Sequence, residues 1–123
     1  MTLNEVKEGI EVIDFNEDTT CNFYLDGIPI GYPVDFHSWR GEDDYLGIKL
    51  KGNTQNSPSK FISYIDCFEP GVYTGWKGGD KYLDFDTTFF IDNGLGTVGD
   101  NVAAIIIVFE NNEIKIICEE DIF

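Results

Sequence analysis

Eight consecutive apolar residues, Val102 to Phe109, constrain this chain more than any other feature. A bilayer span needs about 20 apolar residues, so the run is a strand rather than a membrane helix. With no polar position in it, it reads as a central strand covered on both faces. Asn111-Asn112 follows, a pair suited to a two-residue turn with φ > 0 at both positions. Ile114 to Cys118 then returns as a partner strand. A sheet holding such a strand needs a helix or a second sheet over each face, which favours an α+β class over a bare meander.

The rest of the chain supplies further elements. Thr2-Leu3-Asn4-Glu5 has the form of a capping box, opening a short helix to about Gly9. Glu11 to Phe15 reads as extended, and Asn16 to Thr20 as a turn. Asp26-Gly27 between apolar flanks is a strong hairpin signal. Pro29 and Pro33 make its outgoing arm an edge or a loop, because proline cannot donate to a ladder. Tyr32 to Tyr45 has little periodicity and reads as a long surface connection. Leu46 to Lys51 alternates as a half-buried strand. Ser57 as N-cap and Pro58 at the first helical position favour a helix carrying Phe61, Ile65 and Phe68 on one face. Gly71 to Lys81 and Asp92 to Asn101 read as glycine-rich loops, and Tyr82 to Ile91 as one strand, with Tyr82, Asp84, Asp86 and Thr88 on one face. The expected fold is a single α+β domain over residues 1–123: an antiparallel β-sheet of five to seven strands with one or two short helices. An all-β sandwich is the alternative if residues 61–68 form a strand.

Charge narrows the choice of partners. The 123 residues carry 23 Asp+Glu against 8 Lys+Arg, a formal net charge of -15. With 42% hydrophobic residues the chain still has the material for a core, so this acidity does not imply disorder. Direct nucleic-acid binding needs a basic footprint and is not expected; nor is attraction to an anionic membrane. A basic protein partner is favoured, against the plainer reading that the charge only keeps the chain soluble. The opening MTLNEVKEGI lacks a basic stretch followed by an apolar one, so a secretory signal is not expected and a cytoplasmic location is. Cys21, Cys67 and Cys118 are odd in number and without CxxC spacing, which argues against a disulfide framework or a zinc site.

Catalytic and metal signals are weak. His37 is the lone histidine, in Asp35-Phe36-His37-Ser38-Trp39-Arg40, and no GxSxG elbow is present. Asp84-Phe85-Asp86 could ligate a divalent cation or act as an acid/base pair, but a solvated strand face has the same pattern. Gly94, Gly96 and Gly99 fit the spacing of a GxGxxG loop after a strand, but the next element reads as apolar and extended, with no helix N-terminus to hold a phosphate. No catalytic residue, cofactor or metal is therefore expected. The segment singled out is Trp39-Arg40-Gly41-Glu42-Asp43-Asp44-Tyr45, with three consecutive acids between aromatics. Trp, Tyr and Arg are enriched at binding hot spots, and adjacent carboxylates steer a basic partner. The expected partner-binding residues are Trp39, Arg40, Glu42, Asp43, Asp44, Tyr45, Tyr73, Trp76, Asp84 and Asp86. If Trp39 and Tyr45 tuck into the core, the segment is an ordinary acidic loop.

The acids are spread along the whole chain without regular rows, which favours a local interface over mimicry of a phosphate backbone. Together these features point to a non-enzymatic, acidic protein-binding inhibitor: an immunity protein covering the active site of a basic, nuclease-type bacterial toxin. A phage-encoded inhibitor of a nucleic-acid-handling defence enzyme is a related alternative. A small-ligand or carbohydrate-binding β-domain using Tyr24, Tyr73 and Trp76 is another, and a structural part of a phage particle or secretion apparatus a third.

Overall fold

A computed structural model describes residues 1–39, 44–75, 79–92 and 100–122, with the side chains of 100, 121 and 122 left out. Two short helices, a six-stranded mixed sheet and a two-stranded sheet make an α+β fold. The elements are α1 (Leu3–Glu11), β1 (Thr20–Leu25), β2 (Ile28–Ser38), β3 (Leu46–Lys51), α2 (Pro58–Ile65), β4 (Gly71–Thr74), β5 (Asp80–Leu83), β6 (Phe89–Asp92), β7 (Asp100–Glu110) and β8 (Glu113–Ile122).

Both helices start where side chains can satisfy the first free N–H groups. The Glu5 amide donates to Thr2 Oγ1 at 3.1 Å, and the Thr2 amide donates to Glu5 Oε1 at 3.0 Å, completing the capping box. Leu3, Val6 and Ile10 bury one face of α1. In α2 the Lys60 amide donates to Ser57 Oγ at 3.1 Å, and Pro58 occupies the first turn. Phe61 and Ile65 are buried and Phe68 follows just beyond the helix, so residues 61–68 do not form a strand and the sandwich alternative falls away. The Lys7 ammonium joins the two helices by donating to Asp66 Oδ1 at 2.6 Å.

The six strands close into a barrel in the order β1-β2-β3-β6-β7-β8. The sheet is mixed rather than wholly antiparallel, because β3 pairs with β6 and β1 with β8 in parallel. A parallel pair needs a long crossover. Here α2, β4 and β5 all lie between β3 and β6 in the chain, and β8 closes the barrel beside β1. Both two-residue turns form with φ > 0: Asp26 at 52° and Gly27 at 76°, then Asn111 at 53° and Asn112 at 58°. Inside the barrel Phe23 packs on Phe61, with ring centroids 5.3 Å apart, and on Phe89 at 6.0 Å. Leu46, Ile48, Ile91, Val102, Ile114 and Ile116 surround them.

Local expectations need five corrections. The arm after Asp26-Gly27 is a long strand rather than a loop: residues 28–31 of β2 pair with β1, and residues 32–38 pair with β3 as far as Ser38. Its prolines are accommodated at irregularities, since the register shifts opposite Pro29 and again beyond Pro33. Second, α1 runs through Glu11 and ends in a turn, so Glu11 to Phe15 is not a strand. Third, the expected loop from Gly71 to Lys81 holds paired strand at both ends, Gly71–Thr74 (β4) against Asp80–Leu83 (β5), with residues 76–78 outside the described residues.

Fourth, Tyr82 to Ile91 is two strands. The Asp84 carboxylate accepts from the Asp86 amide at 2.8 Å and the Thr87 hydroxyl at 3.2 Å, while Thr87 Oγ1 accepts from the Asp84 amide at 2.8 Å. These local bonds outcompete the ladder and break the strand, so Asp84 and Asp86 do not share a strand face. Fifth, β7 is not covered on both faces. One side lines the barrel, while Ile105 and Ile106, at a register shift, stand 54% and 53% exposed.

Candidate functional site at the end of β2 and β3

Neighbouring strands set the site by register. Asp35 lies opposite Lys49 and His37 opposite Gly47 across β2–β3; Gly47 pairs with Phe90 and Lys49 with Asp92 across β3–β6. Directly opposed residues share a face. The alternate residues Ile48, Leu46, Phe89 and Ile91 are buried in the core, so Asp35, His37, Lys49, Phe90 and Asp92 take the outer face.

Gly47 makes room on that face. A Cβ there would strike the His37 ring and come within 2.8 Å of the Trp39 ring. His37 Nε2 lies 3.1 Å from Asp92 Oδ2, and its Nδ1 lies 2.9 Å from the Ser38 carbonyl oxygen. His37 thus ties β2 to β6.

Trp39 is 6% exposed. Its Nε1 donates to Asn101 Oδ1 at 3.1 Å, and its amide donates to the Tyr45 carbonyl at 2.8 Å. Tyr45 meets Phe90 edge-on at 5.2 Å. The aromatics at both ends of the acidic segment are therefore tucked against the barrel and fix where its ends emerge. Asp44 is outside this packing, with its side chain 52% exposed and its Oδ1 3.6 Å from Lys81 Nζ on β5. Arg40, Glu42 and Asp43 lie outside the described residues, as does Trp76.

Tyr73 stands on β4 opposite Lys81. Its hydroxyl donates to the Glu69 carbonyl at 2.6 Å, and its ring stacks on Phe68 at 6.0 Å. Burial, and then the negative charges of Glu69 and Asp35, push its phenol above the usual range. The strands that carry Asp35 and Tyr73, β2 and β4, touch one another. The two segments picked out in the sequence, around Asp44 and around Tyr73, thus converge on one side of the molecule.

Asp84 and Asp86 do other work. Asp84 builds its turn, and Asp86 accepts from Asn4 Nδ2 at 2.7 Å, beside the start of α1. A carboxylate there also interacts favourably with the positive end of the helix. No group of three or more His, Cys, Asp or Glu is gathered to hold a metal among the described residues. Asp35 and Lys49 carry no functional signal in the sequence, and His37 is weighed there only as a catalyst. Asp35 meets Lys49 through β2–β3, while His37 reaches Asp92 because β3 pairs in parallel with β6, which no local pattern announces. Comparison of the chain with protein-family models, curated proteins and solved structures found no match.

Proposed function

We propose that this chain is a small acidic inhibitor of a basic protein, an immunity protein that covers the active site of a nuclease-type bacterial toxin in the cytoplasm. The observation that carries this reading is the Asp44–Lys81 pair at 3.6 Å, which joins the acidic segment to the β4–β5 hairpin. Asp35 on β2, Asp44 before β3 and Asp80 on the hairpin are all exposed, on a chain of net charge -15. A nuclease site is positively charged because its substrate is an anion, so these carboxylates would take the place of phosphates. The surface rests on packed aromatics, so little ordering is needed on binding. Tyr24 lies beneath Lys115 and Tyr73 against Phe68. These placements favour a charged interface over an open aromatic platform for a neutral ligand.

The test is co-expression with a basic toxin domain encoded beside this gene, followed by co-purification at low and high salt. A complex that forms at low salt, blocks nuclease activity and weakens with salt is expected. Failure to bind any neighbouring basic product at low salt overturns the proposal.

A further inference from the structure

The barrel has no sheet edge, whereas the β4–β5 hairpin is an open two-stranded sheet among the described residues. The Gly75 amide donates to the Gly79 carbonyl at the hairpin's end. In an antiparallel ladder hydrogen-bonded and non-hydrogen-bonded pairs alternate. Tyr73–Lys81 and Gly71–Leu83 are therefore the bonded pairs, while Val72–Tyr82 and Thr74–Asp80 point their amides and carbonyls outward.

Of the two strands, β4 is the one that touches β2, with no pairing between them among the described residues. The edge of β5 has no strand beside it among the described residues and offers the backbone groups of Asp80 and Tyr82. Val72 and Tyr82 face each other across the hairpin and are 68% and 58% exposed. They lie on the side opposite Tyr73 and Lys81, which pack toward the body. An open edge beside an apolar pair is the arrangement that accepts an added strand, where main-chain bonds give affinity and alternate side chains give selectivity.

We infer that β5 receives an extended segment of the basic partner as an added strand, with Val72 and Tyr82 beneath its apolar positions and Asp80 beside its Lys or Arg. Charge complementarity selects the occupant. Asp80 and Asp44 are both exposed, and the nearest cation, Lys81, is 17% exposed and faces Asp44. A second copy of this chain would bring Asp80 and its neighbouring carboxylates against their own kind. The inference takes the partner's basic character from the proposed inhibitor role and adds the mode of binding.

The probe is an end-blocked peptide about eight residues long, with Val and Lys in turn at every second position and Thr between them so that both fall on one face, titrated into the 15N-labelled chain at low salt. Expected are slower exchange of the Asp80 and Tyr82 amides by about tenfold or more, and loss of affinity by about tenfold when alternate peptide nitrogens are methylated. Tyr82→Pro removes an outward amide and leaves the β4 ladder intact, so the variant should fold and lose peptide binding. Tyr82→Thr keeps the amide and should retain part of it.

Equal binding of the methylated peptide, or a response at Asp44 without one at Asp80 and Tyr82, overturns strand addition while leaving the acidic-partner reading in place. Failure of the peptide to bind also overturns strand addition, and the toxin co-purification decides the inhibitor role separately. Protection of the Tyr82 amide that grows with protein concentration in the absence of peptide would assign the edge to a second copy, and so overturn the inference as well.

Discussion

Gly31 and Gly47 show how single residues without a side chain hold this architecture open. Gly31 has φ +111°, and a Cβ there would fall onto the Lys51 carbonyl oxygen. Backbone cannot swing aside as a side chain can. Gly31→Ala should therefore cost well over about 1 kcal/mol. Gly52 has open space around it, and Gly52→Ala should leave stability within about 1 kcal/mol of the parent. Denaturant midpoints of the two variants check the contrast.

The cysteines give a second residue-scale prediction. Burial pushes the Cys118 thiol up from an ordinary 9.0 to about 12, and raises that of Cys21 further. Cys67 is exposed. In the native protein a thiol reagent at mildly alkaline pH should modify Cys67 quickly and reach the other two only on unfolding. The stability consequence has a definite sign. Above the ordinary thiol range the unfolded chain releases these protons while the folded chain keeps them. Stability is thus full below pH 9.0 and falls as pH rises toward about 12. Tyr24, raised by burial and by the Glu113 charge, acts in the same direction above its ordinary 10.0. Thermal unfolding midpoints between neutral and strongly alkaline pH test this, and Cys118→Ala should flatten the fall.

At the scale of elements, caps and turns decide what forms. Thr2→Ala and Ser57→Ala each remove the oxygen that accepts from the first turn of a helix, and each should cost about 1 kcal/mol. The two caps lie on different helices, so the double mutant in chemical denaturation should lose close to the sum. These are also the elements the sequence made legible, because their signals are local. Thr2 with Glu5, Ser57 with Pro58, Asp26-Gly27 and Asn111-Asn112 act within a few residues of chain. What stayed hidden was non-local or competitive. Asp84 and Thr87 turn the chain back on itself inside an alternating pattern that otherwise reads as a strand. The two prolines of β2 sit where the register slips, which composition alone does not show. Exposed isoleucines on β7 look identical in sequence to buried ones.

Across the whole molecule, two parallel pairings bring distant segments together. The candidate site was legible as two separate stretches, around Asp44 and around Tyr73. Their union was not, because it follows from the crossover that carries the hairpin back beside β2 and β3. Part of the -15 charge thereby gains a location: the exposed Asp35 and Asp44 stand on β2 and before β3, and the exposed Asp80 on the hairpin face opposite Lys81. Asp84 and Asp86, by contrast, serve a turn and a helix start. Charge reversal should follow this division. Asp44→Lys should weaken partner binding with little change in stability, because an exposed ion pair contributes about 1 kcal/mol or less. Asp84→Ala should lower stability by loosening the turn and leave association unchanged.

Charge-steered binding is decided by the association rate with the basic product of a neighbouring gene, followed from about 0.1 M to 1 M salt, where the screening length shrinks from ~10 to ~3 Å. A steep fall with salt is expected for the parent chain, and a slower rate with a shallower fall for the Asp35→Lys, Asp44→Lys, Asp80→Lys variant. A rate indifferent to salt, or unchanged by the triple reversal, would contradict the account.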